Sequence, residues 1–372
     1  MKVLVMAEPF GYGPVATAIN VAKELKDKVD MDFVGSGIAI EQALMSGLFN
    51  NCINCDLNDN KELEKYLNKF KEYDAILSSD TLNGTIFMVN NSIDNIYYLD
   101  NLVWMWDKLP TEFINLKKYF ISETIPCKEN FKRIGKQIKN PVFVGPIRNI
   151  DVSNDEKIDE EQLIINIGGA ESFLLDKKLI NQFYNKIINN ILESNGIEKF
   201  KKILICGGSC VISKLNINRS DLNIIATTLP YDEYIKEMRK TKYFIMASGL
   251  GNFIETIGKN KNIMYLPAIN YSQLLQIEYY KQQNFGFDIL NWDDFKFYEP
   301  IEKYLDEETG VKKVVSNIEQ FLNDDYSLLI KQKTSKFLCD QQDDYYNTRK
   351  DYILKFNPNA SKIISEYILN LD

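Results

Sequence analysis

Ser248-Gly249-Leu250-Gly251-Asn252, followed by Glu255, is where this sequence concentrates residues suited to holding a charged ligand. Residues 243–246 before it have the uninterrupted apolar character of a buried strand, and a helix is expected to start near Asn252. Small residues in the turn let a backbone approach a phosphate closely. The amides and positive dipole end of the following helix then stabilise its charge. Glu255 falls about one turn into that helix, where a carboxylate can accept hydrogen bonds from two neighbouring ribose hydroxyls. Gly168-Gly169 and Gly207-Gly208 end two more apolar runs, 163–167 and 202–206. A single glycine-rich turn also serves merely to pack a helix closely on its sheet. The whole arrangement, repeated along the chain, favours a nucleotide.

Proton chemistry has to manage without histidine, since the chain has none. The commonest general base and the usual partner of a serine or cysteine nucleophile are both missing. Carboxylates that follow apolar strand-like runs are the substitutes: Glu8 after residues 2–7, Asp80 after 75–79, and Asp100 after 96–99. Each also suits an ordinary turn or cap, and the three stay open as alternatives. Gly11, Tyr12 and Gly13 form a glycine-rich loop beside Glu8, and Trp104, Trp106, Phe113 and Tyr119 form an aromatic group that suits either an acceptor pocket or core packing. Arg148 is a candidate partner for leaving-group charge.

No metal site is expected. Cys52-Ile53-Asn54-Cys55 has the spacing of half a zinc site, but Cys206 and Cys210 do not supply the other half. Asp30-Met31-Asp32 opens a strand, which suits solvated flanks better than ligands. Gly11-Tyr12-Gly13-Pro14-Val15-Ala16 fits the Gly-x-Gly-x-x-Ala form of the dinucleotide fingerprint. Glu8-Pro9-Phe10 separates it from its strand, and no acid closes the second strand, which ends Val34-Gly35-Ser36-Gly37. A nicotinamide enzyme is therefore disfavoured.

These residues need a scaffold, and the periodicity supplies one. Short apolar runs alternate with amphipathic helical stretches such as Val15, Ala18, Ile19 and Ala22. The pattern breaks in a polar, acidic stretch and then restarts. The expected organisation is a Rossmann-like domain over 1–148, a linker over 149–161, and a second Rossmann-like domain over 162–330. A helical tail over 331–372 is expected to cross back to the first domain. Such alternation implies α/β architecture with doubly wound parallel sheets, whose ligands collect beyond the carboxyl ends of the strands. Two such domains are expected to face each other across a cleft.

Bulk properties set the outer limits. The 372 residues suit two domains, and 45% hydrophobic with 26% charged is a soluble globular composition. A formal charge of −8 argues against a nucleic-acid polymer as partner. No apolar run is long enough to span a bilayer. The opening residues run straight into a strand, so no export signal and a cytoplasmic location are expected. Six cysteines in such a chain suit reduced thiols rather than a disulfide framework.

The order Ser-Gly, five residues, Glu, then a strand ending at Pro267, then a helix bearing Gln273 resembles the donor-site signature of GT-B glycosyltransferases. The likeness is to the family of the lipid-linked GlcNAc transferase of peptidoglycan synthesis and to the UDP-glycosyltransferases. It implies that Ser248, Gly249, Gly251 and Asn252 hold a diphosphate, Glu255 a ribose, and Gln273, with Gln276 as a second contact, the sugar. It also places Gly168, Gly169, Gly207 and Gly208 near the uracil and phosphates. The implied partners are a nucleotide sugar, UDP-linked, and a small-molecule acceptor, with no cofactor beyond the donor. Ser272 stands where the family often has Asp before the Gln. Phe10-Gly11-Tyr12-Gly13, Gly35-Ser36-Gly37 and the Leu99-Asp100…Trp104-Met105-Trp106 stretch further resemble the cytosylglucuronate synthase type, which implies a nucleobase-like acceptor. Two alternatives remain: a nucleotide-sugar 2-epimerase of the same fold, disfavoured by the missing histidine, and a non-catalytic nucleotide-binding protein.

Overall fold

The computed structural model describes residues 1–148, 150, 152, 158–340 and 345–371. The chain divides into two compact units, Met1–Ile150 with Lys355–Asp372, and Asp151–Leu354. Of the expected linker, residues 149, 151 and 153–157 lie outside the described ones, and residues 159–161 already belong to a strand.

The first unit carries a seven-stranded parallel sheet. Its strands are β1 (Lys2–Ala7), β2 (Asp30–Gly35), β3 (Asn51–Asn54), β4 (Ala75–Ser79), β5 (Ile96–Asp100), β6 (Lys118–Ser122) and β7 (Pro141–Val144), in the order β3-β2-β1-β4-β5-β6-β7. Val3 to Ala7 have no exposed surface, as expected of a central strand with both faces covered. The strand order reverses between β1 and β4, whose ends Ala7 and Ser79 stand side by side. Such a reversal opens a crevice at the carboxyl ends of the strands. The helix Gly13–Leu25 begins just above it, with Pro14 in its first turn, where a missing N–H costs nothing. The terminal helix Ala360–Asn370 packs on that helix, burying Ala360, Ile364 and Ile368. On the way there the chain passes so close to Gly145 that a Cβ at that position would lie 2.0 Å from the Asn357 carbonyl oxygen.

The second unit holds a six-stranded parallel sheet. It comprises β8 (Asp159–Asn166), β9 (Lys202–Cys206), β10 (Ile224–Thr227), β11 (Thr241–Met246), β12 (Asn262–Tyr265) and β13 (Asp288–Ile289), ordered β10-β9-β8-β11-β12-β13. Here the order reverses between β8 and β11, with Asn166 beside Met246. Helices Glu307–Asn323 and Ser327–Cys339 pack on the Lys177–Leu192 helix. β3, β6 and β13 are additions to the expected strands. Asn51–Asn54 and Asp288–Ile289 are short, polar edge strands with little apolar pattern, which is why periodicity misses them. Among the described residues, no helix is long and apolar enough to cross a membrane.

Candidate active site

In the second unit the reversal point is built from the loops after β8 and β11. The helix after β11 runs Leu250–Ile257, so it starts two residues before the expected Asn252, with Gly249 as its extended N-cap. Gly249, Leu250, Gly251 and Asn252 are all half-exposed, and a Cβ at Gly249 would meet nothing within 4 Å. The first amides of a helix have no intrahelical acceptor, so this end is open to an anion. Ser248 is different: it is buried, and its hydroxyl donates to the Gln273 carbonyl (3.3 Å).

Asn252 ties the two loops together. Its Oδ1 accepts from Asn166 Nδ2 (3.0 Å) and from the Tyr234 hydroxyl (3.3 Å), while its Nδ2 donates to the Ala247 carbonyl (3.0 Å). Asn166 Oδ1 in turn accepts from the Gly168 amide (2.8 Å). Glu255 follows Gly251 by one turn, and its Oε1 accepts from the Tyr231 hydroxyl (2.8 Å). Burial, followed by the Glu255 carboxylate, raises the Tyr234 phenol well above its usual range. Sequence reasoning missed Asn166, Tyr231 and Tyr234. The only signals were a polar residue ending an apolar strand and a proline, Pro230, starting the helix Tyr231–Lys240.

Other expected contacts divide. Gln273 is half-exposed in the first turn of Tyr271–Gln282, its Oε1 accepting from the Ile269 amide (3.0 Å). Gln276, one turn on, is only 2% exposed in the helix's packed face, and its buried Oε1 has no hydrogen-bond partner within the protein. Gly168 is half-exposed with φ +67°, where glycine is favoured. Gly169, Gly207 and Gly208 are buried. A Cβ on Gly207 would lie 2.2 Å from Ile167 Cγ1, one on Gly208 would lie 2.1 Å from the Gly169 carbonyl oxygen, and the Gly208 amide donates to Gly168 O (2.9 Å). The second glycine pair therefore lets two loops touch and has its Gly208 amide engaged within the protein.

In the first unit, Glu8, Asp80 and Asp100 line up across three adjacent strand ends, as the pairings Ala7–Ser79 and Ser79–Leu99 require. Asp100 is 0% exposed. Its carboxylate accepts from the Leu102 amide (2.6 Å), Trp106 Nε1 (3.0 Å) and the Tyr119 hydroxyl. This carboxylate organises the loop after β5, with both oxygens engaged within the protein. Trp106, Phe113 and Tyr119 are buried with it, Tyr119 stacking on Tyr98 at 5.5 Å, so Trp106 is core. Trp104 stays half-exposed, with Nε1 donating to Asn101 O (3.0 Å).

Glu8 is 5% exposed and accepts from Asn58 Nδ2 (2.6 Å). Burial lifts its pKa from 4.5 to about 7, against the lowering effect of that hydrogen bond. Asp80 is half-buried, and burial together with the charge of Asp100 lifts it from 3.8 to about 7. A base titrating near neutrality is matched to proton abstraction. Gly11 (φ +62°), Tyr12 and Gly13 form a partly exposed loop at the same end of the sheet. Arg148 is buried and donates to Thr17 Oγ1 (2.6 Å) and Gly13 O (2.7 Å), so its guanidinium serves the first helix of the unit rather than a leaving group.

Among the described residues, no group of three or more Cys, Asp or Glu side chains is arranged to hold a metal ion. Asp32 accepts from Asn51 and from the Tyr73 hydroxyl, and burial pushes the Cys55 thiol up to about 11.

No family model matches the sequence, and no curated protein does. Solved structures do match. UGT89C1 of Arabidopsis thaliana, complexed with UDP-L-rhamnose, is 10% identical with a TM-score of 0.51, over 95% of this chain and 98% of its own. UGT2 of Phytolacca americana, complexed with UDP-2fluoro-glucose and pterostilbene, is 10% identical with a TM-score of 0.52, over 100% and 99%. A UDP-glucosyltransferase from Polygonum tinctorium capable of glucosylating indoxyl is 11% identical with a TM-score of 0.51, over 98% of both chains. Full-length superposition with so few shared residues is a likeness of fold. The chain has the GT-B fold of glycosyltransferases.

Proposed function

We propose that this protein is a glycosyltransferase that moves a sugar from a UDP-linked donor to a small-molecule acceptor, without a metal or a cofactor beyond the donor. The observation that carries the reading is the open first turn of the Leu250–Ile257 helix at the β8/β11 reversal, with the Glu255 carboxylate one turn further on. The helix start stabilises the diphosphate, and Gly249 leaves room for its approach. Glu255 and Gln273 supply acceptors and donors for the ribose and the sugar. The UDP-sugars in the Arabidopsis and Phytolacca complexes support uracil as the donor's base. The first unit contributes a carboxylate that takes the acceptor's proton as its oxygen attacks the anomeric carbon, an effect worth about 10²–10⁴-fold. The partly exposed loop Gly11-Tyr12-Gly13 and the half-exposed Trp104 favour a flat, nucleobase-like acceptor that can stack on an aromatic ring.

The test is a thermal-shift series with UDP, UDP-glucose and NADH on the wild type and Glu255→Ala. UDP at a hundredfold excess over its Kd should stabilise the wild type by about 2.7 kcal/mol, NADH should do nothing, and Glu255→Ala should fold but bind UDP more weakly. A flat response to both uridine compounds refutes the donor assignment. Unchanged affinity in the variant removes Glu255 from the site.

A further inference from the structure

Resting on that glycosyl-transfer reading, we infer that Asn101, Thr17 and Arg148 are positioning residues that make Asp80, rather than Glu8, the group that receives the acceptor's proton. Asp80 stands at the β1/β4 reversal and is half-buried. Its backbone lies in the left-handed region (φ +51°), which few non-glycine residues adopt, and its amide is held by Leu99 O (3.1 Å). One residue clamps both carboxylate oxygens. The Asn101 amide donates to Oδ1 (2.9 Å), and Asn101 Nδ2 donates to Oδ2 (2.6 Å).

The clamp is itself anchored. Asn101 Nδ2 also reaches Thr17 Oγ1 (3.2 Å), which donates to Gly13 O (3.0 Å) and accepts from Arg148 (2.6 Å). One hydroxyl thus gives its hydrogen and takes two, which is its full capacity. A second Arg148 nitrogen donates to the same Gly13 carbonyl (2.7 Å). A left-handed non-glycine residue fixed by such a network is the pattern of strain held at a functional position. Asp100 and Arg148 are the charged groups that act on Asp80, Asp100 raising its pKa after burial and Arg148 lowering it, while the Tyr119 phenol feels its charge. In the transfer, the acceptor oxygen bonds to the anomeric carbon and its proton moves to the Asp80 carboxylate. The bond from that carbon to the diphosphate oxygen breaks, and UDP leaves with the electron pair.

The test is a ¹³C-carboxyl NMR titration of the full chain, with the Asp80 resonance identified by its loss in Asp80→Asn. The wild-type midpoint should lie near 7. Arg148→Met should raise it by about one pH unit and Arg148→Lys by less, while the Glu8 midpoint stays in place. Thr17→Val, which removes the hub hydroxyl at nearly constant shape, should move it in the same direction and serves if Arg148→Met does not fold. UDP release from UDP-glucose, with water as acceptor, is followed against pH on the same samples. Its acid limb should shift with the Asp80 midpoint, and Asp80→Asn should lower the rate at least about tenfold while still binding UDP. An unmoved midpoint in Arg148→Met and Thr17→Val, or an acid limb that follows Glu8→Gln instead, overturns the assignment. A wild type that does not bind UDP overturns the glycosyl-transfer reading, a failure that the titration registers separately.

Discussion

Replacing Glu8 by Gln should stabilise the protein at alkaline pH and leave it nearly unchanged in acid. Glu8 is buried, and its pKa rises from 4.5 in an exposed chain to about 7 in the folded one. The folded state therefore holds the proton more tightly than the unfolded state does. Below pH 4.5 both states are protonated and the side chain costs nothing. As pH climbs from 4.5 to 7 the unfolded chain ionises freely while the folded one resists, so stability falls, and above 7 the full cost is present. The difference of about 2.5 pH units corresponds to about 3–4 kcal/mol at about 1.4 kcal/mol per unit. Glutamine preserves the shape and the acceptor for Asn58 Nδ2 (2.6 Å in the wild type) without the charge. Urea unfolding of wild type and Glu8→Gln at pH 4, 6 and 8 reads this directly. The variant's advantage should grow through that series toward about 3–4 kcal/mol. An advantage independent of pH, or a variant less stable at pH 8, would refute the view that burial dominates this carboxylate.

Two glycines with opposite surroundings should respond oppositely to one methyl group. Gly208→Ala places a Cβ 2.1 Å from the Gly169 carbonyl oxygen, a rigid backbone atom. Unfolding should show a loss of about 1–3 kcal/mol. Gly249→Ala has ordinary φ (−66°) and open space around its Cβ, so its melting temperature should match the wild type. Its UDP affinity, measured by calorimetry, should nonetheless fall, because the methyl group occupies the approach to the helix start. A drop in stability without a change in affinity at Gly249 would show that the turn has only a packing role.

Much of the architecture is legible because it is local. The apolar runs at Lys2–Ala7 and Lys202–Cys206 are strands over the expected residues, since a strand buried on both faces must be continuously apolar. The turn-and-helix at residues 248–257 is visible for a similar reason: small residues and a helix start are short-range features, although the start itself lies at Leu250 rather than Asn252. Short polar edge strands such as β3 carry no such pattern.

The sequence by itself determined the kinds of group at hand: carboxylates in place of histidine, glycines at strand ends, and an acidic residue one turn into a helix. Their standing was decided by tertiary structure, because burial and pairing depend on which strands become neighbours. Asp80 and Asp100 look alike in sequence, yet Trp106 and Tyr119 close over one and leave the other half-buried beside Asn101. Gly207-Gly208 resembles a ligand-binding turn until the loop after β8 is seen to fill the space that its missing side chains leave. Arg148 is 131 residues from Thr17 in the chain, and only the closed sheet brings its guanidinium to that hydroxyl. A side chain's type is written locally, whereas its solvation and its partners are set by contacts between distant segments, and those decide its chemistry.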